Sequence, residues 1–332
     1  MPRLGQILIS FLHGKNKTAV FALTSRCNCK CVMCDMHKQP PREIALKDAK
    51  KVLDTLITNG FLIVYFTGGE PTLHPNIVDI VSYADRIGLV ASMTTNGTPS
   101  KTLLSSLKEA GLYLLSVSLD HWNSKICEGL RKHEGIFEKQ VSTIRYLKKI
   151  GLRTYALAYL NPILLEDGVE KLATFANEEL GVPFGFCYPT NCDANSYVLG
   201  GELAKKPFST HLDDQVRKIF ELKKEGKDIA NLYNYVEDAV NFPSQNPNFL
   251  CRGGEDVVYI DWLGDVYPCF LKRKKLFNAL NGDKPRFLEG VRCNDCLINC
   301  FREPSFLPQI FSPITLLLRE VRRSYSSRNI YK

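Results

Sequence analysis

Short apolar runs and helical patterns alternate through the first two thirds of the chain. The apolar runs are five to eight residues long, which is the length of buried strands. Between them, apolar residues recur every three or four positions, as in amphipathic helices. Residues 46–58, for example, place Val52, Leu53 and Leu56 on one helical face. The predicted strands are residues 18–24, 61–66, 89–94, 113–119, 153–160 and 184–188, and the other predicted helices between them are residues 75–87, 103–110, 137–150 and 169–180.

This alternation predicts an α/β fold with a parallel sheet. Parallel neighbours need a crossover long enough to return the chain, and a helix is the usual one. Such crossovers are right-handed. Because there are six strand–helix units rather than eight, we expect a partial (β/α)6 TIM-like barrel that is open on one side. Functional groups in such folds lie at the carboxyl ends of the strands.

The pattern changes after residue 203. Residues 204–248 carry two more helical patterns and end in a loop rich in Asn and Pro, so we expect a helical bridge there. Residues 249–305 contain an apparent hairpin and are predicted to be a small extension of the core, which spans residues 1–203. Residues 306–332 form a basic tail. Its apolar and basic residues would suit a helix at a membrane surface or, more commonly, a helix packed onto the barrel.

A cysteine-rich loop directly follows the first predicted strand. Its cysteines have the spacing Cys27-x3-Cys31-x2-Cys34, with Cys29 inside the first gap. Three thiolates this close together can hold one face of a cubic iron–sulfur cluster. With three protein ligands, one iron would stay open to a small molecule. A structural zinc site normally uses Cys-x2-Cys pairs and four ligands, so the spacing favours iron and sulfur.

The second predicted strand ends in the turn Gly68-Gly69-Glu70-Pro71. Two glycines allow a tight turn and a close approach of the backbone to a ligand. The carboxylate of Glu70 could accept hydrogen bonds from an ammonium group. Alone, this turn would indicate no more than a helix that starts at the proline.

The cysteine loop and this turn, in this order, resemble the signature of the radical S-adenosylmethionine (SAM) enzymes, in the group that includes MoaA, NifB, PqqE and SkfB. The resemblance implies that Cys27, Cys31 and Cys34 hold a [4Fe-4S] cluster whose fourth iron binds SAM, while Cys29 is a bystander. A flavodoxin or ferredoxin would reduce the cluster. The implied reaction cleaves SAM reductively to a 5′-deoxyadenosyl radical, which abstracts hydrogen from a substrate. The residues implied to bind SAM are Gly68, Gly69, Glu70, Asn96, Ser118 and Asp120.

Five more cysteines surround the predicted hairpin. The hairpin would bring together the two cysteines that flank it, and a Cys-x2-Cys pair supplies two more thiols. Zinc would accept the same set. The spacing is similar to the SPASM/twitch extension, in its shorter form with one cluster. This resemblance implies a second [4Fe-4S] cluster on Cys251, Cys269, Cys293 and Cys296, with Cys300 as a fifth candidate ligand.

Further candidates carry weaker signals. Arg131 stands where relatives often have an arginine that reaches the SAM carboxylate. After the sixth strand, Cys192, Asp193 and Tyr197 are candidates for proton transfer or radical relay, although an ordinary loop explains them equally well. Nothing in the sequence identifies the substrate, and peptides, cofactor precursors, sugars and lipids all stay open.

Composition narrows the cellular setting. The chain has 332 residues, of which 45% are hydrophobic, enough for a full core. No apolar run reaches about 18 residues, so no membrane span is expected. Nine of the twelve cysteines fall into two clusters, which indicates metal binding in a reducing cytoplasm. The net charge of +8 would suit an anionic partner, although a solvated basic face is commoner.

Two other classes of protein stay open. Basic charge and cysteine pairs would fit a zinc-binding, nucleic-acid-associated protein, but that class does not explain the Gly-Gly-Glu turn. A non-catalytic iron–sulfur electron carrier would fit the cysteines, but it needs no SAM-binding rim.

Overall fold

The computed structural model of the protein describes residues 16–205, 211–242, 250–287 and 293–306. Within them, nine strands form one sheet in the order β6-β5-β4-β3-β2-β1-β7-β8-β9. The strands are β1 (Lys17–Thr24), β2 (Phe61–Gly68), β3 (Val90–Thr95), β4 (Leu114–Ser118), β5 (Ala156–Tyr159), β6 (Phe184–Cys187), β7 (Val257–Ile260), β8 (Asp265–Tyr267) and β9 (Phe277–Asn278).

Strands β1 to β6 pair in parallel in chain order, as the alternating pattern predicts. The sheet is not closed, so the predicted partial α/β barrel is confirmed. The helices are α1 (Leu46–Thr58), α2 (Ile77–Arg86), α3 (Lys101–Glu109), α4 (Ser124–Arg131), α5 (Ile136–Ile150), α6 (Pro162–Asp167), α7 (Val169–Thr174), α8 (Leu212–Lys224), α9 (Tyr233–Asn241) and α10 (Asn299–Arg302).

Helix α1 shows how the sequence pattern becomes packing. Its four buried residues are Ala49, Val52, Leu53 and Leu56, which repeat at helical spacing and cover the sheet. Burial of each large aliphatic side chain stabilises the fold by about 1.5–3 kcal/mol. Strand β1 is likewise buried along its whole length after Lys17. The core therefore lies between the sheet and its helices, and the carboxyl ends of the strands are left to form a site.

The sequence pattern does not predict the short helices α4, α6 and α10. Helix α4 begins after Asn123, whose side chain accepts from the backbone N–H of Ile126 at 3.2 Å. It buries only Cys127 and Leu130, too few positions for a visible period. Helix α6 begins at Pro162, and the predicted helix 169–180 is α7 followed by a π-helical turn, Phe175–Glu179.

The C-terminal hairpin forms as predicted, with β7 and β8 antiparallel. Beyond the prediction, β9 adds a third strand and β7 pairs in parallel with β1. The extension therefore continues the core sheet. The domain boundaries expected from the sequence stay a prediction.

Within the described residues, no helix is both long enough and apolar enough to cross a bilayer. The basic tail and its suggested membrane contact fall on residues 307–332, outside the described part of the chain.

Candidate functional site

A cavity of about 440 Å³ opens at the carboxyl ends of the parallel strands. It is called the larger cavity below, in comparison with a cavity of about 410 Å³ at the C-terminal cysteines. This volume lies within the range of roughly 300–1,000 Å³ that small-molecule sites occupy. Both sequence motifs reach it. The lining includes three thiols of the predicted cluster and most of the predicted SAM-binding residues: Cys27, Cys31, Cys34, Gly68, Gly69, Glu70, Asn96 and Ser118.

The cysteine loop leaves β1 and is fixed at its base by its own returning end. The backbone N–H of Ser25 donates to the carbonyl of Arg42 at 2.9 Å, and that of Ile44 donates to Leu23 at 3.0 Å. The far side of the loop rests on α4, because the N–H of Val32 donates to the carbonyl of Leu130 at 2.9 Å. The loop is therefore positioned from both sides before any ligand binds.

The two glycines after β2 permit contact between the two motifs. The N–H of Gly69 donates to the carbonyl of Thr24 at 2.7 Å. A Cβ on Gly69 would lie 2.2 Å from the carbonyl oxygen of Arg26, and Gly68 has a φ of +133° with the same 2.2 Å clearance to Thr24. No other residue type fits at this approach, since the obstructing atoms are backbone.

Glu70 joins the ends of β2 and β3. Its carboxylate is 1% exposed. Oε1 accepts from the N–H and hydroxyl of Thr72 and from the hydroxyl of Thr95 at 2.9 Å, and Oε2 accepts from the N–H of Asn96 at 2.7 Å. Burial raises the pKa of Glu70, while the bonds from Thr72 and Asn96 act in the opposite direction. The carboxylate thus holds the turn and the β3 end in one arrangement.

Asn96 extends this network to the cysteine loop. Its side-chain amide donates to Oδ1 of Asn28 at 2.6 Å and to the thiol of Cys29 at 3.3 Å. Its Oδ1 accepts from the hydroxyl of Thr98 at 2.7 Å. A chain of polar contacts therefore runs from Glu70 to the cysteine loop.

Arg131 is the cation of the cavity wall nearest to a predicted ligand. Its Nη1 lies 3.8 Å from the thiol of Cys31, and its Nε donates to the carboxylate of Asp120 at 2.6 Å. Asp120 is fully buried and also accepts from the N–H of Tyr159 at 2.9 Å. Asp120 lies behind Arg131 rather than on the cavity surface, whereas Ser118 lines it. A direct contact of Asp120 with SAM stays a prediction.

The thiols of the loop differ in how readily they lose a proton. A hydrogen bond from Cys29, helped by Arg131, lowers the pKa of Cys31 to about 7, against the effect of burial. Burial raises the pKa of Cys27 to about 11 and that of Cys34 further. The lowered pKa of Cys31 favours its thiolate, which is the form of cysteine that binds metal.

A second cavity, of about 410 Å³, is lined by four of the five C-terminal cysteines. Cys251 and Cys293 exchange backbone hydrogen bonds of 2.8 and 3.2 Å. A hydrogen bond from Cys251 lowers the pKa of Cys293 to about 6. Cys269 and Cys296 complete the lining. The structure thus brings together the four cysteines assigned to an auxiliary site. Within the described residues, no three His, Cys, Asp or Glu side chains are arranged to hold a single metal ion.

Cys300 lies elsewhere. It lines the larger cavity together with Cys187, Asn299 and Glu303. Cys187 ends β6, so the rule that strand ends carry functional groups could have identified it. Asn299 and Glu303 lie on either side of Cys300, at the end of the second cysteine cluster, and no local pattern indicates that this segment folds back to the barrel opening.

The three candidates after β6 separate in the structure. Tyr197 lines the larger cavity, whereas Cys192 is buried outside its lining. Asp193 is 85% exposed and lies 3.5 Å from Arg273, which is also exposed. Asp193 is therefore a surface residue and does not reach the site.

Comparison with known proteins identifies the core. The sequence profile of the Radical SAM superfamily matches residues 21–176. The antilisterial bacteriocin subtilosin biosynthesis protein AlbA of Bacillus subtilis (strain 168) is 34% identical over 140 residues, which are 40% of this chain and 31% of AlbA. The Fe-coproporphyrin III synthase of Methanosarcina barkeri is 34% identical over 122 residues, 36% of this chain and 31% of the enzyme. The chain thus spans about a third of the length of these curated relatives.

Among solved structures, Streptococcus suis SuiB bound to S-adenosylmethionine superposes with a TM-score of 0.64 at 19% identity, over 80% of this chain and 64% of SuiB. The likeness confirms the fold. Radical SAM enzymes use a [4Fe-4S] cluster and SAM, so the cofactors expected from the resemblance are those of the matched superfamily. Residues 21–176 therefore form a radical SAM domain, and the resemblance that the two motifs indicated is confirmed.

Proposed function

We propose that the protein is a radical SAM enzyme whose SAM site is the larger cavity. The observation that carries this proposal is the convergence of Cys27, Cys31 and Cys34 with the Gly68-Gly69-Glu70 turn in one cavity. A [4Fe-4S] cluster and SAM bound there would supply a 5′-deoxyadenosyl radical that abstracts hydrogen from a second substrate. The chemistry belongs to the cofactor, and the protein's part is to bind, orient and exclude water.

The residues fit such a group. Three free thiols face the cavity, and Arg131 offers a cation beside Cys31 that could pair with a carboxylate. The buried network from Glu70 to Asn96 fixes the rim at which the amino end of SAM would bind. Tyr65, Tyr197 and Cys187 also line the cavity, and their hydroxyls and thiol are the groups we propose for contact with a substrate. A test is anaerobic reconstitution followed by detection of 5′-deoxyadenosine after reduction with dithionite.

We further propose that Cys251, Cys269, Cys293 and Cys296 hold an auxiliary [4Fe-4S] cluster. All twelve cysteines are free thiols, which suits a reducing cytoplasm, and the four line one cavity. Gly253 borders it, since a Cβ there would lie 3.7 Å from Sγ of Cys251 and 3.8 Å from Cβ of Cys269. A low-potential electron donor such as flavodoxin or ferredoxin would be the reducing partner.

Two cysteine variants test the auxiliary ligand set. Cys296→Ala is expected to lose up to about half of roughly eight irons per chain, because four irons belong to each cubane. Cys300→Ala is the matched control and should keep all of them, because its thiol lines the other cavity. Iron analysis and EPR spectra measure both. Iron loss in Cys300→Ala with none in Cys296→Ala would show that Cys300, and not Cys296, is the ligand. Finding about one zinc per chain in place of the second set of irons would show that the site binds zinc.

Glu70 is expected to be essential for SAM affinity but not for iron content. In Glu70→Ala, four buried donors lose their acceptor, and each unsatisfied group costs about 1–3 kcal/mol. SAM affinity should fall about ten- to a hundredfold, as measured by equilibrium dialysis. Glu43→Ala, which breaks only the partly exposed pair with Arg26, serves as the control. Wild-type SAM affinity in Glu70→Ala would show that Glu70 does not contribute to SAM binding.

For the second substrate we propose a peptide. SuiB has been solved with its precursor peptide SuiA, and that structure covers 91% of this chain at a TM-score of 0.62 and 18% identity. AlbA is named for the biosynthesis of a bacteriocin. The similarity to a porphyrin enzyme makes a tetrapyrrole the competing candidate. Native mass spectrometry of the anaerobically purified protein would reveal a bound peptide, while a Soret absorption band would indicate a tetrapyrrole.

A further inference from the structure

Residues 192–201, here called the bridging segment, connect the two cysteine sites. The segment is closed on itself, because Cys192 and Leu199 exchange two backbone hydrogen bonds of 3.1 and 2.9 Å. The thiol of Cys192 adds a third bond, to the carbonyl of Tyr197 at 3.3 Å. These three bonds fix the two ends of the segment to each other.

One side of the bridging segment lies against the N-terminal cysteine loop. The N–H of Gly200 donates to the carbonyl of Met33 at 2.9 Å, and the N–H of Asp35 donates to that of Val198 at 3.3 Å. Gly201 makes this approach possible. Its φ is +50°, and a Cβ there would lie 2.4 Å from the carbonyl oxygen of Val32. The segment therefore sets the position of the backbone on either side of Cys34.

The other side lies against the auxiliary site. The side-chain amide of Asn195 donates to the carbonyls of Cys269 and Phe270, both at 3.0 Å. The ring of Tyr197 stacks on that of Phe270, with centroids 4.1 Å apart and an angle of 5° between the planes. Phe270 in turn packs edge-on against Phe301, which lines the auxiliary cavity.

Tyr197 also reaches the SAM motif. Its hydroxyl lies 3.2 Å from that of Thr67, the residue before Gly68. Asn195, in contrast, does not line the larger cavity. Tyr197 therefore touches the larger cavity directly, whereas an effect of Asn195 on the SAM site would have to pass through the bridging segment.

We propose that Asn195 and Tyr197 are positioning residues through which a filled auxiliary site holds the cysteine loop in its SAM-binding geometry. The inference rests on the proposed function, since it needs both sites to be loaded. The direction of the Cys269 carbonyl depends on where its thiolate is held, and Asn195 passes that constraint to the pinned segment. Linkage is reciprocal, so SAM should stabilise the auxiliary site by the same factor.

The test measures SAM affinity of the reconstituted holoprotein by equilibrium dialysis, together with the change that SAM causes in the EPR spectrum of the reduced N-terminal cluster. Asn195→Ala is expected to weaken SAM binding about tenfold, within the usual range of coupling between sites. Asp193→Ala, an exposed position in the same segment, should leave it unchanged. Tyr197→Phe keeps the stack and should retain most of the affinity, whereas Tyr197→Leu should lose it.

A double-mutant comparison separates coupling from simple damage. Cys269→Ala and Asn195→Ala should each weaken SAM binding. The double variant should bind SAM no more weakly than the weaker of the two single variants, because both remove the same contact between the auxiliary site and the bridging segment. Additive losses would overturn the inference. If Cys269→Ala does not fold, equal SAM affinity in Asn195→Ala and Asp193→Ala at equal melting temperature would overturn it. A wild-type protein that binds no SAM would instead refute the proposed function.

Discussion

Replacement of Cys27, Cys31 and Cys34 together by alanine is expected to abolish 5′-deoxyadenosine formation and to remove about half of the iron. The three thiols line the larger cavity, and the cluster that they would hold is the group expected to pass an electron to SAM. About four of roughly eight irons should stay, since the proposed auxiliary cubane would be held by four other cysteines. Iron analysis, EPR spectra and chromatography of the reaction mixture measure these quantities.

Cys29→Ala is the control for the triple variant. Cys29 lies in the same loop and accepts from the amide of Asn96 at 3.3 Å, but the resemblance implies no ligand at its position. The variant should keep its iron and most of its SAM cleavage. Unchanged cleavage in the triple variant would disprove the SAM site, and iron loss in Cys29→Ala would show that another set of thiols binds the cluster.

Gly69→Ala is expected to have the next largest effect. The added Cβ would lie 2.2 Å from the carbonyl oxygen of Arg26 and 2.6 Å from that of Ser25. Backbone atoms cannot move aside as side chains do, so the ends of β1 and β2 must separate. Overpacking typically costs about 1–3 kcal/mol, and here the displacement falls on the cysteine loop itself. At the upper end of that range, SAM affinity should drop about a hundredfold, with a lower melting temperature.

Gly129→Ala is the matched control for Gly69→Ala. Gly129 lies in α4, and a Cβ there meets no atom within 4 Å. Alanine should stabilise the helix by about 0.5–1 kcal/mol, because glycine loses more conformational freedom on folding. Calorimetry and equilibrium dialysis of both variants make the comparison. Wild-type SAM binding by Gly69→Ala would show that the close approach of the two motifs is dispensable.

The sequence predicted best what local patterns determine. Helix α1 begins and ends where its apolar period does, at Leu46 and Thr58. The parallel order of β1 to β6 follows from the alternation of strands and helices. The meeting of the cysteine loop and the Gly68-Gly69 turn follows as well, because carboxyl ends of neighbouring parallel strands share one edge of the sheet.

Contacts between distant parts of the chain could not be predicted in this way. Cys300 carries no local sign that its thiol faces the larger cavity rather than the four auxiliary cysteines. The contact of Asn195 with the carbonyl of Cys269 joins residues 74 positions apart. Periodicity reports how a segment is buried, but not which surface buries it. The sequence of the bridging segment is therefore that of an ordinary loop, and only its long-range contacts distinguish it.

The position of β1 in the sheet has a consequence for biosynthesis. This strand carries the chain into the cysteine loop, and it is hydrogen-bonded by β2 on one side and by β7 on the other. During translation β2 emerges soon after β1, whereas β7 emerges only after all six strands of the parallel core. Until then, one edge of a strand that is almost wholly buried in the folded protein is unpaired, and such edges recruit strands from other chains. Late pairing of this kind also slows folding, because distant segments must meet. We therefore expect the nascent chain to associate with other copies unless β1 is covered during the interval in which the N-terminal cysteine loop has been synthesised and β7 has not.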